Sequence, residues 1–183
     1  IGKLLYRQSA DTVKRLVMEL GGHAPVIVFK GCNLDKAVSE AIKAKFATSG
    51  QDCLGANRIF VERPVYTEFC AKFTEAAKAL TIGPGLEDCD LGPLMNEKAV
   101  QKQEEHVADA VAKGAKLACG GKRHSLGPLF YEPTVLTDVP ADALIMSEET
   151  FGPVAPITAF DSEEEVVARA NDSEYGLVAY VHS

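Results

Sequence analysis

The stretch Ser49-Gly50-Gln51-Asp52-Cys53-Leu54-Gly55-Ala56-Asn57-Arg58 sets one thiol between two glycines in a tight turn. A cysteine placed there can serve as a nucleophile, because the thiolate is the reactive form and nearby backbone N–H groups favour it. The same N–H groups can hold the oxyanion that forms when a thiolate attacks a carbonyl. The turn alone does not establish this, since most cysteines are small buried hydrophobes. Two further stretches stand with it: Met18-Glu19-Leu20-Gly21-Gly22 and Glu148-Glu149-Thr150-Phe151-Gly152-Pro153. Glu19, at the end of an apolar run and followed by two glycines, is expected to project into the space above a sheet, where open α/β folds place their ligands. A carboxylate there can act as a general base; the alternative is an ordinary solvated turn residue.

Alternating strands and helices must position these residues, and that alternation indicates an α/β fold. Gly2 to Lys14 reads as a short helix and Arg15–Leu20 as a strand. His23 reads as a loop residue with local hydrogen bonds. Val26–Phe29 is a continuous apolar run, as in a strand covered on both faces. Asn33 caps a helix in which Leu34, Val38, Ala41, Ile42 and Phe46 recur at helical spacing, and this helix delivers the chain to the Cys53 turn. Arg58–Val61 is a strand ended by Pro64, and Val65–Leu80 an amphipathic helix. Asn96–Lys113 is a polar helix whose Glu104-Glu105-His106 reads as a solvated face. Lys116–Cys119 is a strand; Phe130–Leu136 is another, with Pro133 marking an edge or a bulge. Val154–Phe160 is a strand, Ser162–Ala170 a helix and Gly176–Val181 the last strand.

The 183 residues can bury a real core, about 70% of the extended-chain surface at this length. A net charge of −7 argues against nucleic acid or an anionic membrane as a partner. No apolar run has membrane-spanning length. The five cysteines lack C-x-x-C spacing, so no metal site is expected, and their odd number argues against a disulfide framework. Reduced thiols in the cytoplasm fit best.

Met18–Gly22, Gly50–Cys53 and Glu149–Pro153, in that order and spacing, resemble the signature stretches of the NAD(P)-dependent aldehyde dehydrogenase superfamily, and within it the semialdehyde dehydrogenase branch. The resemblance implies an aldehyde dehydrogenase-like catalytic domain, a mostly parallel sheet flanked by helices, incomplete in this chain. Residues 1–21 would be the tail of the dinucleotide-binding domain and residues 22–183 the catalytic domain, truncated at its C-terminal end. Cys53 matches the nucleophile and Glu19 the base that hydrolyses the thioester. Glu149, Phe151, Leu20 and Gly21 match residues on the NAD or NADP site. The partner implied is a small aldehyde, a semialdehyde among the candidates, with a homo-dimeric or homo-tetrameric parent enzyme. The chain on its own is expected to be inactive.

Two positions depart from the branch. Ala47 stands where succinic semialdehyde dehydrogenases usually carry an Arg for the substrate carboxylate, and Gly55 where they often have a second Cys. A cofactor-independent thiol hydrolase would need a His base near Cys53, and no histidine is placed to suggest one. A non-catalytic, aldehyde dehydrogenase-like binding module remains the alternative; the presence of both Cys53 and Glu19 argues against it.

Overall fold

The computed structural model describes residues 1–183. Its centre follows from the apolar runs. β1 (Ala24–Val28) is buried at every position, and β2 (Ala56–Glu62) and β5 (Val154–Phe160) at all but one. Only strands covered on both faces allow that. The six-stranded sheet runs β3 (Lys116–Cys119), β4 (Thr134–Thr137), β5, β2, β1, β6 (Tyr180–His182). Neighbours are parallel except for β3, which is antiparallel to β4.

Successive strand residues face opposite sides, and two cores result. Val26, Val28, Ile59 and Val61 pack with Val38 and Phe46 of α2 (Leu34–Phe46) and with Phe69 and Phe73 of α3 (Arg63–Lys78). Ile27 and Phe60 enter the other core. There they meet Val100 and Val107 of α4 (Glu97–Ala112), Ile145 of α5 (Leu144–Ser147) and Val166 of α6 (Glu163–Asn171). Side-chain caps start three helices: Asn33, Asn96 and Ser162 accept from the backbone N–H of Lys36, Ala99 and Glu165. The α/β architecture, with its mostly parallel sheet flanked by helices, is as expected.

Several local expectations are corrected. α1 ends at Ala10 and buries no residue. Arg15–Leu20 forms no strand, because its backbone finds no neighbour to pair with; Val17 stays 90% exposed. Gly22 is the first buried residue of the chain. Pro64 does not stop β2 but starts α3, where its missing N–H costs nothing. β4 begins after Pro133 and lies inside the sheet; the edge is β3, and the bulge falls between its Leu117 and Cys119. The last strand is confined to Tyr180–His182, the only residues that reach β1. The solvated-face reading fails for His106, which is fully buried on α4. No helix is long and apolar enough to cross a membrane.

Candidate active site

The three motif stretches lie immediately before β1, β2 and β5, which are adjacent strands running in one direction. They therefore meet at the N-terminal edge of the parallel sheet. The expectation of a site above the carboxyl ends, where open α/β sheets usually bind ligands, is overturned. The reason is that Glu19–Gly22 leads into a strand instead of ending one.

Cys53 is the second residue of a turn in which Gly55 N–H donates to Asp52 O at 3.0 Å and Leu54 N–H to Asp52 Oδ1 at 2.9 Å. Asp first and Gly fourth are favoured positions of the commonest β-turn. Tyr180 of β6 donates its hydroxyl to Leu54 O at 2.9 Å and fixes the far side. Cys53 is half-buried, and its own N–H donates to no protein acceptor. Upstream, Thr48, Ser49 and Gly50 are left-handed in succession, with φ of 50°, 59° and 71°. Two non-glycine residues in that region store strain and need support. Ser49 Oγ supplies it, donating to Gly92 O at 3.1 Å and accepting from Gly92 N–H at 2.9 Å. Gln51 Oε1 accepts from Met95 N–H at 2.8 Å.

Gly22 joins the other two motifs to this turn. Its N–H donates to Glu149 Oε1 at 2.8 Å. A Cβ on Gly22 would fall on the Cys53 carbonyl oxygen, and one on Gly21 would stand 2.6 Å from Glu149 Oε2. The structure thus brings Gly21, Gly22, Cys53 and Glu149 together. Glu149 is half-buried, and Phe151 is half-buried with a left-handed φ of 48°. Glu19 is exposed and makes no hydrogen bond or ion pair. Leu20 is 50% exposed and leans back toward Gly2 of α1.

Several buried polar residues beside the site were not expected. Lys45 is fully buried; its Nζ donates to Asn57 Oδ1 at 3.0 Å, and Asn57 Nδ2 donates to Gly22 O at 3.5 Å. Burial lowers the Lys45 pKa to about 7. Its place, one turn after Ala41 on the buried stripe of α2, was a readable signal. His23 lies in the loop ahead of β1, as expected, but it is buried and its bond is not local: its Nε2 pairs with Met146 O of α5 at 3.0 Å. Burial is the main reason its pKa falls to about 4. Arg58 spans from His23 O to the last carbonyls of α6, at Arg169 and Ala170. Gln103 and His106, both on α4, are fully buried beneath the Glu148–Gly152 loop. No group of His, Cys, Asp or Glu side chains is arranged to hold a metal ion.

The chain belongs to the aldehyde dehydrogenase family, which residues 1–183 match throughout. Among its relatives, a succinate-semialdehyde dehydrogenase [NADP(+)] of Escherichia coli is 50% identical over the whole of this chain and 38% of its own length. A 3-sulfolactaldehyde dehydrogenase of Pseudomonas putida is 51% identical with the same coverage. The crystal structure of a succinate-semialdehyde dehydrogenase from Burkholderia pseudomallei superposes with a TM-score of 0.97 at 55% identity, covering this chain fully and 38% of that one. The chain thus spans 38% of the length of these relatives.

Proposed function

We propose that the protein oxidises an aldehyde to its carboxylic acid with NAD or NADP, and that this chain supplies the nucleophile and the base. The observation that carries the reading is the convergence of all three motifs on Gly22, between the Cys53 carbonyl and the Glu149 carboxylate. The Cys53 thiolate attacks the aldehyde carbon, and the unpaired Cys53 N–H is available to the oxyanion of the thiohemiacetal. Loss of hydride from that carbon leaves a thioester on Cys53. The carboxylate of Glu19 takes a proton from water, the hydroxide adds to the thioester, and the acid departs as the thiolate returns.

The cofactor supplies the hydride acceptor when bound. The residues present fit its nicotinamide end: Glu149 keeps Oε2 free for a ribose hydroxyl, beside a Gly21 that leaves no side chain in the way. Phe151 would pack near the nicotinamide, and Leu20 and Gly21 are assigned to the same site by the family resemblance. Residues 1–21, all outside the buried core, are assigned to the tail of the dinucleotide-binding domain, and 22–183 to the catalytic domain. The relatives named for succinate semialdehyde and sulfolactaldehyde favour an aldehyde that carries an anionic group. On its own the chain is expected to turn over no cofactor, since positioning the reactants contributes about 7–11 kcal/mol.

Rapid-quench kinetics on the full-length enzyme test the roles. Cys53→Ala should abolish both the burst and turnover. Glu19→Gln should keep the NADH or NADPH burst and slow steady turnover by about 10²–10⁴-fold. A burst lost with Glu19→Gln would move Glu19 into the first step.

A further inference from the structure

We propose that Gln103 is a positioning residue: from α4 it holds the Glu149–Gly152 loop against the Cys53 turn, and so sets the affinity of the cofactor site. The inference rests on the aldehyde dehydrogenase reading given above. Gln103 is fully buried on a helix face that it shares with His106 and with the core hydrophobes Val100, Val107 and Ala110. Burying an amide there is unfavourable unless it is bonded. Its Nε2 donates to Thr150 O at 3.0 Å and to Ala99 O at 3.2 Å. Both neighbours are carbonyl oxygens, which only the NH₂ side can meet, so the amide orientation is fixed. No other protein group donates to Thr150 O. The remaining Gln103 Oε1 has no partner, and neither has Thr150 Oγ1. A core helix that needed only volume here would carry an apolar side chain at position 103.

Steric evidence extends the contact to the thiol. A Cβ on Gly152 would overlap the Gln103 amide, and a Cβ on Gly50 would overlap Gly152 O. The Gln103 amide, the Gly152 backbone and the Gly50 backbone are therefore stacked without intervening side chains, from α4 to the turn that carries Cys53. Between Thr150 and Gly152 sits Phe151, at a φ of 48°. A bulky residue stays left-handed only while its surroundings hold it there. His106, the next residue on this face, approaches Glu148 Oε2 at 3.4 Å and supports the start of the loop. Without the Gln103 donor, Phe151 can relax to negative φ, carrying Glu149 off Gly22.

The test uses the full-length enzyme and direct titration with NADH and NADPH. Gln103→Met keeps the shape and removes the donor. Gln103→Glu keeps the shape and faces Thr150 O with a carboxylate. Loss of one hydrogen bond predicts a cofactor Kd raised about 2- to 10-fold in Gln103→Met, with the aldehyde KM at saturating cofactor unchanged. Gln103→Glu should be weaker still. A residue that merely fills the core would lower Tm and leave Kd alone, so a folded Gln103→Met with wild-type Kd overturns the proposal. If both variants fail to fold while the exposed control Gln101→Met folds normally, Gln103 is a folding residue and the proposal also falls. A wild-type enzyme that binds neither dinucleotide would refute the aldehyde dehydrogenase reading itself.

Discussion

Replacing Gly22 by Ala should separate the nucleophile from the cofactor carboxylate. The added methyl would fall on the Cys53 carbonyl oxygen, more than about 1 Å inside the 3.4 Å at which ordinary van der Waals contact begins. The obstacle is the backbone of a hydrogen-bonded turn, so it cannot swing away as a side-chain tip would. Either the Cys53 turn or the Gly22 strand start must move by that amount. A displacement of 1 Å near the reacting atoms can cost about 10²-fold in rate. Gly22 N–H also holds Glu149 at 2.8 Å, and a hydrogen bond to a charged acceptor contributes about 1.5–3 kcal/mol. Full-length Gly22→Ala enzyme should therefore lose about 10²-fold or more in kcat/KM, measured by NADH or NADPH formation. The matched control is Gly31→Ala, where a Cβ meets nothing within 4 Å; it should keep full activity and stay as stable as the wild type or gain about 0.4–1 kcal/mol. Gly22→Ala enzyme with kcat/KM within a few-fold of the control would refute the idea that this contact sets the geometry of the site.

Cys53 should be the fastest of the five thiols to take up iodoacetamide at neutral pH, because its turn offers an unpaired backbone N–H, whereas burial raises the pKa of Cys32, of Cys119 and of Cys70, the last to about 11; peptide mapping that finds Cys32, Cys70, Cys89 or Cys119 labelled first would contradict this. Lys45, with its pKa lowered to about 7, binds fewer protons folded than unfolded between that value and its ordinary one, so wild-type stability should rise as pH increases from about 7 to 10. Lys45→Met should flatten that rise in urea titrations at pH 6.5 and 9.5, and an unchanged slope would show that Lys45 is charged in the fold. Ala47→Arg should raise kcat/KM for succinic semialdehyde over butanal about tenfold or more, by adding a donor for the carboxylate; a wild type that already favours the semialdehyde a hundredfold would locate that donor elsewhere.

Much of this was legible because local physics decided it. The Val26–Phe29 run fitted a doubly covered strand, and β1, which ends one residue earlier at Val28, is buried throughout. Asn33 stood ahead of helical periodicity, and it accepts from the Lys36 N–H at the start of α2. What stayed hidden depended on partners far along the chain. His23 had no local clue to Met146, and Arg58 none to the carboxyl end of α6. Polar residue type also masked position. Gln103 and Lys45 lie on the buried stripes of α4 and α2, yet an amide and an ammonium are read as solvent-facing by default. Arg15–Leu20 failed for the opposite reason: its composition suits a strand, but a strand exists only where another chain segment completes its hydrogen bonds.

The glycines of the three motifs were the clearest signal, and their meaning changed once the fold was known. Gly22 faces the Cys53 carbonyl, Gly50 faces Gly152 O, and Gly152 faces the Gln103 amide, each at a distance that excludes a Cβ. The loops that lead into β1, β2 and β5 therefore rest backbone on backbone. Side chains have rotamers and can yield, whereas close-packed main chain has only its two dihedrals per residue. That difference explains why the site can sit at the N-terminal edge of the sheet, on loops rather than at strand ends. The thiol turn and the loop carrying Glu149 meet main chain to main chain at Gly50 and Gly152, with the Gln103 amide behind Gly152, so the separation between nucleophile and cofactor carboxylate is set by that stack and by the strands beneath it.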